Sequence, residues 1–92
     1  MPYICSKAKN MNKSIHSEEY KMMINLLRSK RENSNVTQKQ LAEYLGVTQA
    51  VVSKIEICER RIDIIELRNI CSNLNVSFVD FIVELDKILK HD

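Results

Sequence analysis

One segment of the 92-residue chain, residues 36–57 (VTQKQLAEYLGVTQAVVSKIEI), contains its only glycine, Gly46. A helix commonly ends at a residue in the left-handed conformation, which glycine adopts without a steric penalty. We therefore expect a short helix that ends at Gly46. Its start is predicted near Gln38, because Thr37 can cap a helix and Gln40, three residues later, completes a capping box.

A second short helix is predicted to start near Gln49, directly after the turn. Thr48 can cap it, and Val47 and Val52 occupy the positions of a hydrophobic staple. Two short helices joined by a tight turn cross at a steep angle, and this crossing needs a small residue at the contact, for which Ala42 is suited. The apolar residues expected on the inner face of this helix-turn-helix are Leu41, Leu45, Val47, Val52 and Ile55.

The segment resembles the helix-turn-helix of the XRE-type regulators, the family related to lambda repressor and Cro. Residue types typical of that family stand at nearly every motif position, namely Gln38, Ala42, Gly46, Val47, Gln49, Val52, Ser53, Ile55 and Glu56. The resemblance covers roughly residues 17–85, and residues 59–74 (ERRIDIIELRNICSNL) resemble a subgroup of small stand-alone members. Two positions depart from the pattern: Cys58 replaces the usual glycine after the second motif helix, and Ile62 replaces a frequent proline.

Three further helices are predicted around the motif. Ser17, followed by two glutamates, can cap a first helix that runs to about Arg31. Asp63 and Glu66 form another capping-box pattern at the start of a fourth helix, and Ser77 starts a fifth. The core stripe of the fourth helix is expected to consist of Ile64 or Ile65, Leu67, Ile70, Cys71 and Leu74.

This order of helices also resembles the XRE-type domain. We therefore expect an all-α, five-helix, lambda-repressor-like DNA-binding domain over residues 15–92, preceded by a flexible tail over residues 1–14. The alternative for the lysine-containing N-terminal segment is a basic arm that touches DNA. The composition agrees with one small helical domain, since 45% of the residues are apolar and only 5% are aromatic.

Two classes of protein are disfavoured by the sequence. No segment approaches transmembrane length and the N-terminus lacks an apolar signal segment, so we expect a cytoplasmic protein without membrane contact. The cysteines Cys5, Cys58 and Cys71 are far apart and form no paired metal-ligand spacing with histidines. Neither histidine stands in a recognisable nucleophile and base arrangement. The chain is predicted to be no enzyme and to need no metal or cofactor.

The charge is unevenly distributed along the chain. The net charge is only +2, but residues 21–61 carry eight Lys or Arg and four Glu, whereas residues 62–92 carry three basic and six acidic side chains. A positive helix-turn-helix and an acidic end suit a surface that faces DNA phosphates. A solvated helical face would explain the same distribution.

The family resemblance implies a mechanism in which the second motif helix lies in the major groove of double-stranded DNA. The residues then expected to read base edges are Gln49, Ala50, Val51 and Lys54. Val51 could instead pack at the edge of the core. The residues expected to contact phosphates are Gln38, Lys39, Thr48, Ser53, Arg28, Arg60 and Arg61. Gln38 would also brace Gln49.

The fifth helix is broadly apolar and suggests a partner. Phe78, Ile82, Leu85 and Leu89 are predicted to form a homodimer interface, which Val79 and Val83 widen. The predicted function is a sequence-specific transcriptional regulator, either a repressor or an autoregulator. One alternative is an antitoxin-like protein-binding module that also binds its own promoter, with a protein partner that the sequence does not identify. Another is a thiol-based redox sensor that acts through Cys58.

Overall fold

The computed structural model describes residues 17–90. Within this range the chain forms helices and no strand, and we number the helices α1 to α5 in chain order. Their bounds are Glu18–Asn33 (α1), Gln38–Leu45 (α2), Gln49–Glu56 (α3), Ile64–Asn73 (α4) and Phe78–Lys90 (α5). The predicted all-α fold with five helices is confirmed. The predicted tail over residues 1–14 lies outside the described residues.

Side-chain caps start α1, α2, α4 and α5 where the sequence predicts them. The capping box of α2 is complete, because the Gln40 N–H donates to Thr37 Oγ1 at 3.0 Å and the Thr37 N–H donates to Gln40 Oε1 at 2.9 Å. Asp63 and Glu66 exchange the same two bonds at the start of α4, at 2.8 and 3.0 Å. The hydroxyls of Ser17 and Ser77 each accept the N–H three residues later.

The prediction that Thr48 caps α3 through its side chain is wrong. Thr48 stands at the N-cap with an extended backbone, but its hydroxyl makes no capping bond. Instead the N–H of Val51 donates to the Thr48 carbonyl at 3.1 Å, a three-residue bond that tightens the first turn. The hydroxyl of the exposed Thr48 is therefore not used to begin the helix.

A left-handed residue follows each of the first four helices. These residues are Asn35, Gly46, Cys58 and Asn75, with φ angles of 58°, 71°, 62° and 58°. After each of them the next residue donates its backbone N–H to the carbonyl five positions earlier, at 3.2, 3.0, 2.8 and 2.9 Å respectively. This bond defines the Schellman motif. The helix end predicted at Gly46 is confirmed.

Three of these exits share a sequence pattern. A left-handed residue, a valine and a hydroxyl residue follow one another as NVT at 35–37, GVT at 46–48 and NVS at 75–77. The hydroxyl residue is in each case the one directly before the next helix. The exit of α3 lacks the pattern, because Cys58 is followed by a longer loop that reaches α4 only at Ile64. The loop into α4 is thus built differently from the others.

The core lies between all five helices. α1 packs against α3 and α5, α2 packs against α3 and α4, and α4 packs against α5. Phe81, Ile24, Val52 and Cys71 are almost completely enclosed. The other buried apolar side chains are Leu26, Leu27, Leu41, Ala42, Ile55, Ile62, Leu67, Ile70, Leu74 and Leu85.

Two predictions for the core are wrong: Val47 is exposed, and so are Ile64 and Ile65, the two alternatives given for the first core residue of α4. Val47, in the turn between α2 and α3, is 39% exposed, and Ile64 and Ile65 are 58% and 61% exposed. Because Asp63 caps α4, the two isoleucines fall in its first turn, where their side chains point away from the interior. The buried stripe of α4 starts at Leu67 instead, and Ile62 from the preceding loop is also buried in the core.

Candidate nucleic-acid interface

The helix-turn-helix is formed by α2 and α3. Ala42 is buried where α2 packs against α3, and its carbonyl accepts the N–H of Val47 at 3.0 Å, which closes the turn. Gly46 provides the left-handed residue between them. Val52 and Ile55 hold α3 to the core from one side, so the opposite side of this helix faces solvent.

The outer face of α3 carries the residues predicted to read bases. Gln49, Ala50 and Lys54 are exposed. Val51 is half-buried and packs against the core, so the structure supports the alternative given for this residue. Ser53 is half-buried as well. An amide, a methyl group and an ammonium group are therefore exposed on the solvent-facing side of α3.

The residues predicted to contact phosphates differ in their surroundings. Lys39 and Thr48 are exposed near the N-termini of α2 and α3, and Arg61 is exposed in the loop after α3. Arg28 pairs with Glu32 at 3.4 Å, and Arg60 pairs with Glu66 at 3.1 Å. Since a neighbouring carboxylate competes for each of these two guanidinium groups, they are the weaker candidates.

Behind this surface lies a buried ion pair that the sequence does not indicate. Arg31 Nε donates to Glu56 Oε2 at 2.7 Å and Arg31 Nη2 donates to Glu56 Oε1 at 3.1 Å. Arg31 Nη1 also donates to the Val36 carbonyl at 2.8 Å. The pair joins the end of α1 to the end of α3 and to the residue before the α2 cap. In the sequence, Arg31 marks only the expected end of the first helix.

The side chain of Gln38 joins the same network. Its Nε2 donates to Glu56 Oε1 at 2.8 Å. In the free domain the amide of Gln38 is hydrogen-bonded to the carboxylate at the other end of α3 and not to Gln49, so the expected bracing of Gln49 on DNA stays a prediction. A charged acceptor forms a stronger bond than a second neutral amide does, which explains the choice of partner.

The two cysteines within residues 17–90 form no comparable site. Burial raises the pKa of the Cys71 thiol, and the positive charge of Lys30 only partly opposes this shift. Cys58 is half-buried and free, and Cys5 lies outside the described residues. Residues 17–90 contain no cluster of three or more metal-binding side chains. Within the same range no helix has both the length and the apolar character needed to cross a membrane.

A second surface lies on α5, where the sequence predicts the dimer interface. Val79, Ile82 and Val83 are 67%, 37% and 47% exposed. Leu85, which the prediction assigns to the interface, is buried in the core of its own chain, because it lies on the side of α5 that faces the other helices. Phe78 and Leu89 are half-buried and pack against the core edge. The exposed part of this face is therefore narrower than predicted.

Fold and surface define a helix-turn-helix domain, and comparison with known proteins identifies its family. The model of the helix-turn-helix family termed HTH_3 matches residues 27–81. The solved structure of an XRE-family like protein from Pseudomonas syringae pv. tomato is similar with a TM-score of 0.76 and 35% sequence identity. That match covers 86% of this chain and 96% of the other. The chain belongs to the XRE-type helix-turn-helix family of DNA-binding transcriptional regulators.

A more distant structure shares the fold. The clp gene regulator ClgR from Corynebacterium glutamicum is 24% identical with a TM-score of 0.69, and the match covers 80% of this chain and 79% of that one. No curated protein matches the chain.

Proposed function

We propose that the protein is a sequence-specific repressor or autoregulator that reads the major groove of double-stranded DNA with α3. One observation carries this proposal. Gln49 and Lys54 are exposed on α3, and within residues 17–90 neither side chain has a hydrogen bond or an ion pair. The amide of Gln49 can pair with adenine N6 and N7, and the ammonium group of Lys54 can reach guanine O6 and N7. Ala50 between them suits a thymine methyl group.

The phosphate contacts are assigned to residues at the rim of this surface. Lys39 is exposed next to Gln38 at the start of α2, and Thr48 and Ser53 lie at the start and middle of α3. Arg61 is a further candidate, and Arg28 and Arg60 would have to release their carboxylate partners to take part. Such contacts fix the position of the domain on the duplex without reading its sequence.

The proposal includes a homodimer that forms through the exposed face of α5. Val79, Ile82 and Val83 form a continuous apolar stripe at helical spacing, and a second copy would remove this stripe from water. A twofold dimer would place two α3 helices about 34 Å apart, which is one turn of the duplex. Repression then follows if the bound site overlaps a promoter.

Selection of bound sites from random-sequence DNA tests the proposed function. We expect one recurring site, to which the protein binds at least about 10³-fold more tightly than to scrambled DNA of equal length and at equal salt. Repeating the selection without residues 1–13 shows whether the N-terminal segment contributes as a basic arm. Equal affinity for selected and scrambled DNA would show that the protein binds DNA non-specifically and would contradict the proposal.

A further inference from the structure

The side chain of Gln38 is held by a buried carboxylate. Gln38 is the first residue of α2 and is half-buried. Its Nε2 lies 2.8 Å from Glu56 Oε1, and the Glu56 side chain is only 6% exposed. A half-buried glutamine at a helix start has several accessible rotamers, and this bond selects one of them.

The carboxylate itself cannot move freely. Arg31 donates to both of its oxygens, at 2.7 and 3.1 Å, and is anchored in turn by the Val36 carbonyl. A shift of Glu56 toward or away from Gln38 would lengthen at least one charged hydrogen bond inside the core. Glu56 is therefore a fixed acceptor against which the amide of Gln38 is oriented.

The amide keeps one donor for another partner. A primary amide nitrogen carries two hydrogens, and Glu56 accepts one of them. Lys39 follows directly in the sequence and is exposed, so the same end of α2 also presents a cation. A phosphate oxygen at this end could accept the second amide hydrogen while the first remains on Glu56.

We propose that Glu56 is a positioning residue for DNA binding, which holds the Gln38 amide in the orientation that contacts a backbone phosphate. This inference rests on the proposed function. Because Glu56 is the last residue of α3, the bond also ties a phosphate anchor on α2 to the helix proposed to lie in the groove. Gln38, which contacts the phosphate, and α3, which is proposed to read bases, then dock onto the DNA as one rigid unit.

A double-mutant cycle tests this role. Glu56→Asp retains the charge opposite Arg31 but retracts the carboxylate by one methylene, and Gln38→Met removes the amide while keeping the length of the side chain. We expect each change to weaken binding to selected and scrambled DNA alike by about 2- to 10-fold, the size of one hydrogen bond. The double variant should bind no more weakly than Gln38→Met does. Glu43→Asp, an exposed position on α2, serves as the matched control and should change nothing.

Two further measurements separate positioning from a structural role. The slope of log affinity against log salt should stay unchanged in all four proteins of the cycle, since a neutral amide on a phosphate releases no counterion. In the free protein, the side-chain amide signal of Gln38 should show slowed hydrogen exchange in an NMR spectrum, and Glu56→Asp should remove this protection. Thermal unfolding monitored by circular dichroism establishes that every variant is folded at the temperature of the binding assay.

Each outcome of the cycle has a different meaning. If the losses from Glu56→Asp and Gln38→Met multiply in the double variant, Glu56 acts independently of Gln38 and the inference is wrong. The inference is also wrong if Glu56→Asp leaves DNA binding unchanged, or if Gln38 leaves Glu56 and contacts Gln49 on DNA. Failure of the unmodified protein to prefer any selected site overturns the proposed function instead. The NMR experiment still reports in that case whether Glu56 orients the amide.

Discussion

Arg31 and Glu56 face each other in the interior as a bidentate ion pair, with N–O distances of 2.7 and 3.1 Å. Their side chains are 9% and 6% exposed. Taking two charges out of water is costly, and the pair is stable only because its geometry satisfies both oxygens of the carboxylate. It connects α1 with α3, so the orientation of the proposed reading helix depends on it.

The first prediction concerns this pair. Arg31→Met leaves a buried carboxylate without its cation and should lower the free energy of unfolding by about 3–5 kcal/mol. Urea unfolding at neutral pH measures the loss. Arg28→Met is the matched control, because that arginine lies three residues earlier on α1 and pairs with Glu32 in an exposed position. The control should change stability by at most about 0.5 kcal/mol. Equal effects of the two substitutions would show that the buried pair contributes no more than a surface pair.

The second prediction concerns the exit of α3. Cys58 has a φ of 62°, a conformation in which a Cβ costs roughly 1–2 kcal/mol. Cys58→Gly removes this strain and should raise the unfolding midpoint, although some packing of the half-buried thiol is lost. Differential scanning calorimetry checks the direction. A lower midpoint would mean that the packing of the cysteine outweighs its backbone strain.

Gly46 provides the opposite test at the exit of α2. Its φ is 71°, and a Cβ built there meets no atom within 4 Å. Gly46→Ala therefore adds backbone strain without a clash, and it should destabilise the protein by roughly 1–2 kcal/mol. In the same calorimetric assay, Gly46→Ala should therefore lower the unfolding midpoint and Cys58→Gly should raise it.

The helix exits differ in how far the sequence predicts them. Gly46 is recognisable as a helix end because it is the only glycine in the chain, and helices commonly end at a left-handed glycine. Asn35 and Asn75 occupy the same conformation without being predicted to do so, since asparagine is also common in ordinary loops. The repeated NVT, GVT and NVS triplets contain the missing signal. They place a left-handed residue, a valine and a helix N-cap residue in the same order three times.

The candidate site is predictable only where it depends on local sequence. The apolar residues Val52 and Ile55, which the sequence assigns to the inner face, leave Gln49, Ala50 and Lys54 on the open side of α3, and the structure agrees. The bond between Gln38 and Glu56 spans 18 residues and the Arg31 pair spans 25, so both depend on how the helices cross. Helical periodicity gives no information about such pairings. For the same reason it assigns Leu85 to an interface instead of the core.

The third prediction concerns Cys71. Burial raises the pKa of its thiol above the ordinary value of 9.0, so the folded state disfavours the reactive thiolate. In a Cys5→Ser, Cys58→Ser variant, a thiol reagent at pH 8 should modify Cys71 only as fast as the protein unfolds. A Cys5→Ser, Cys71→Ala variant should react faster through Cys58.

The contribution of Cys71 makes the stability of the fold decrease as the pH rises. The folded pKa of Cys71 lies above the unfolded one, so its contribution to stability is complete below the unfolded pKa and is lost as the pH rises through the folded pKa. Stability should therefore fall more steeply above about pH 9 in the unmodified protein than in Cys71→Ala. Parallel pH profiles of the two proteins would contradict the assigned burial effect.

The fourth prediction concerns assembly. Val83→Glu places a charge in the exposed apolar face of α5 and should convert the proposed dimer to a monomer in sedimentation experiments at tens of micromolar. Ile64→Glu, at an isoleucine that is also exposed but lies on α4, should leave the dimer intact. A monomeric unmodified protein, both free and on DNA, would contradict the dimer. It would leave the α5 face available to a different protein, as the antitoxin-like alternative requires.

The last prediction separates the reading of bases from the anchoring on phosphates. If Gln49 forms two hydrogen bonds with an adenine, Gln49→Ala should cost about 1–3 kcal/mol on the selected site and remove discrimination at that base pair. Its binding to scrambled DNA should barely change. Lys39→Ala should instead weaken all sequences alike and reduce the salt slope by about one unit, because a phosphate contact releases a counterion on any sequence.

Fluorescence anisotropy titrations of both variants at several salt concentrations distinguish these roles. Gln49 and Lys39 are both exposed, and neither side chain has a partner within residues 17–90, so replacing them should leave the fold intact. Differences in affinity then report on the contact with DNA and not on stability. If Gln49→Ala weakens selected and scrambled DNA equally, Gln49 is an anchor and another residue of α3 reads the base. If neither substitution affects binding, the outer face of α3 is only solvated surface and the proposed mechanism is wrong.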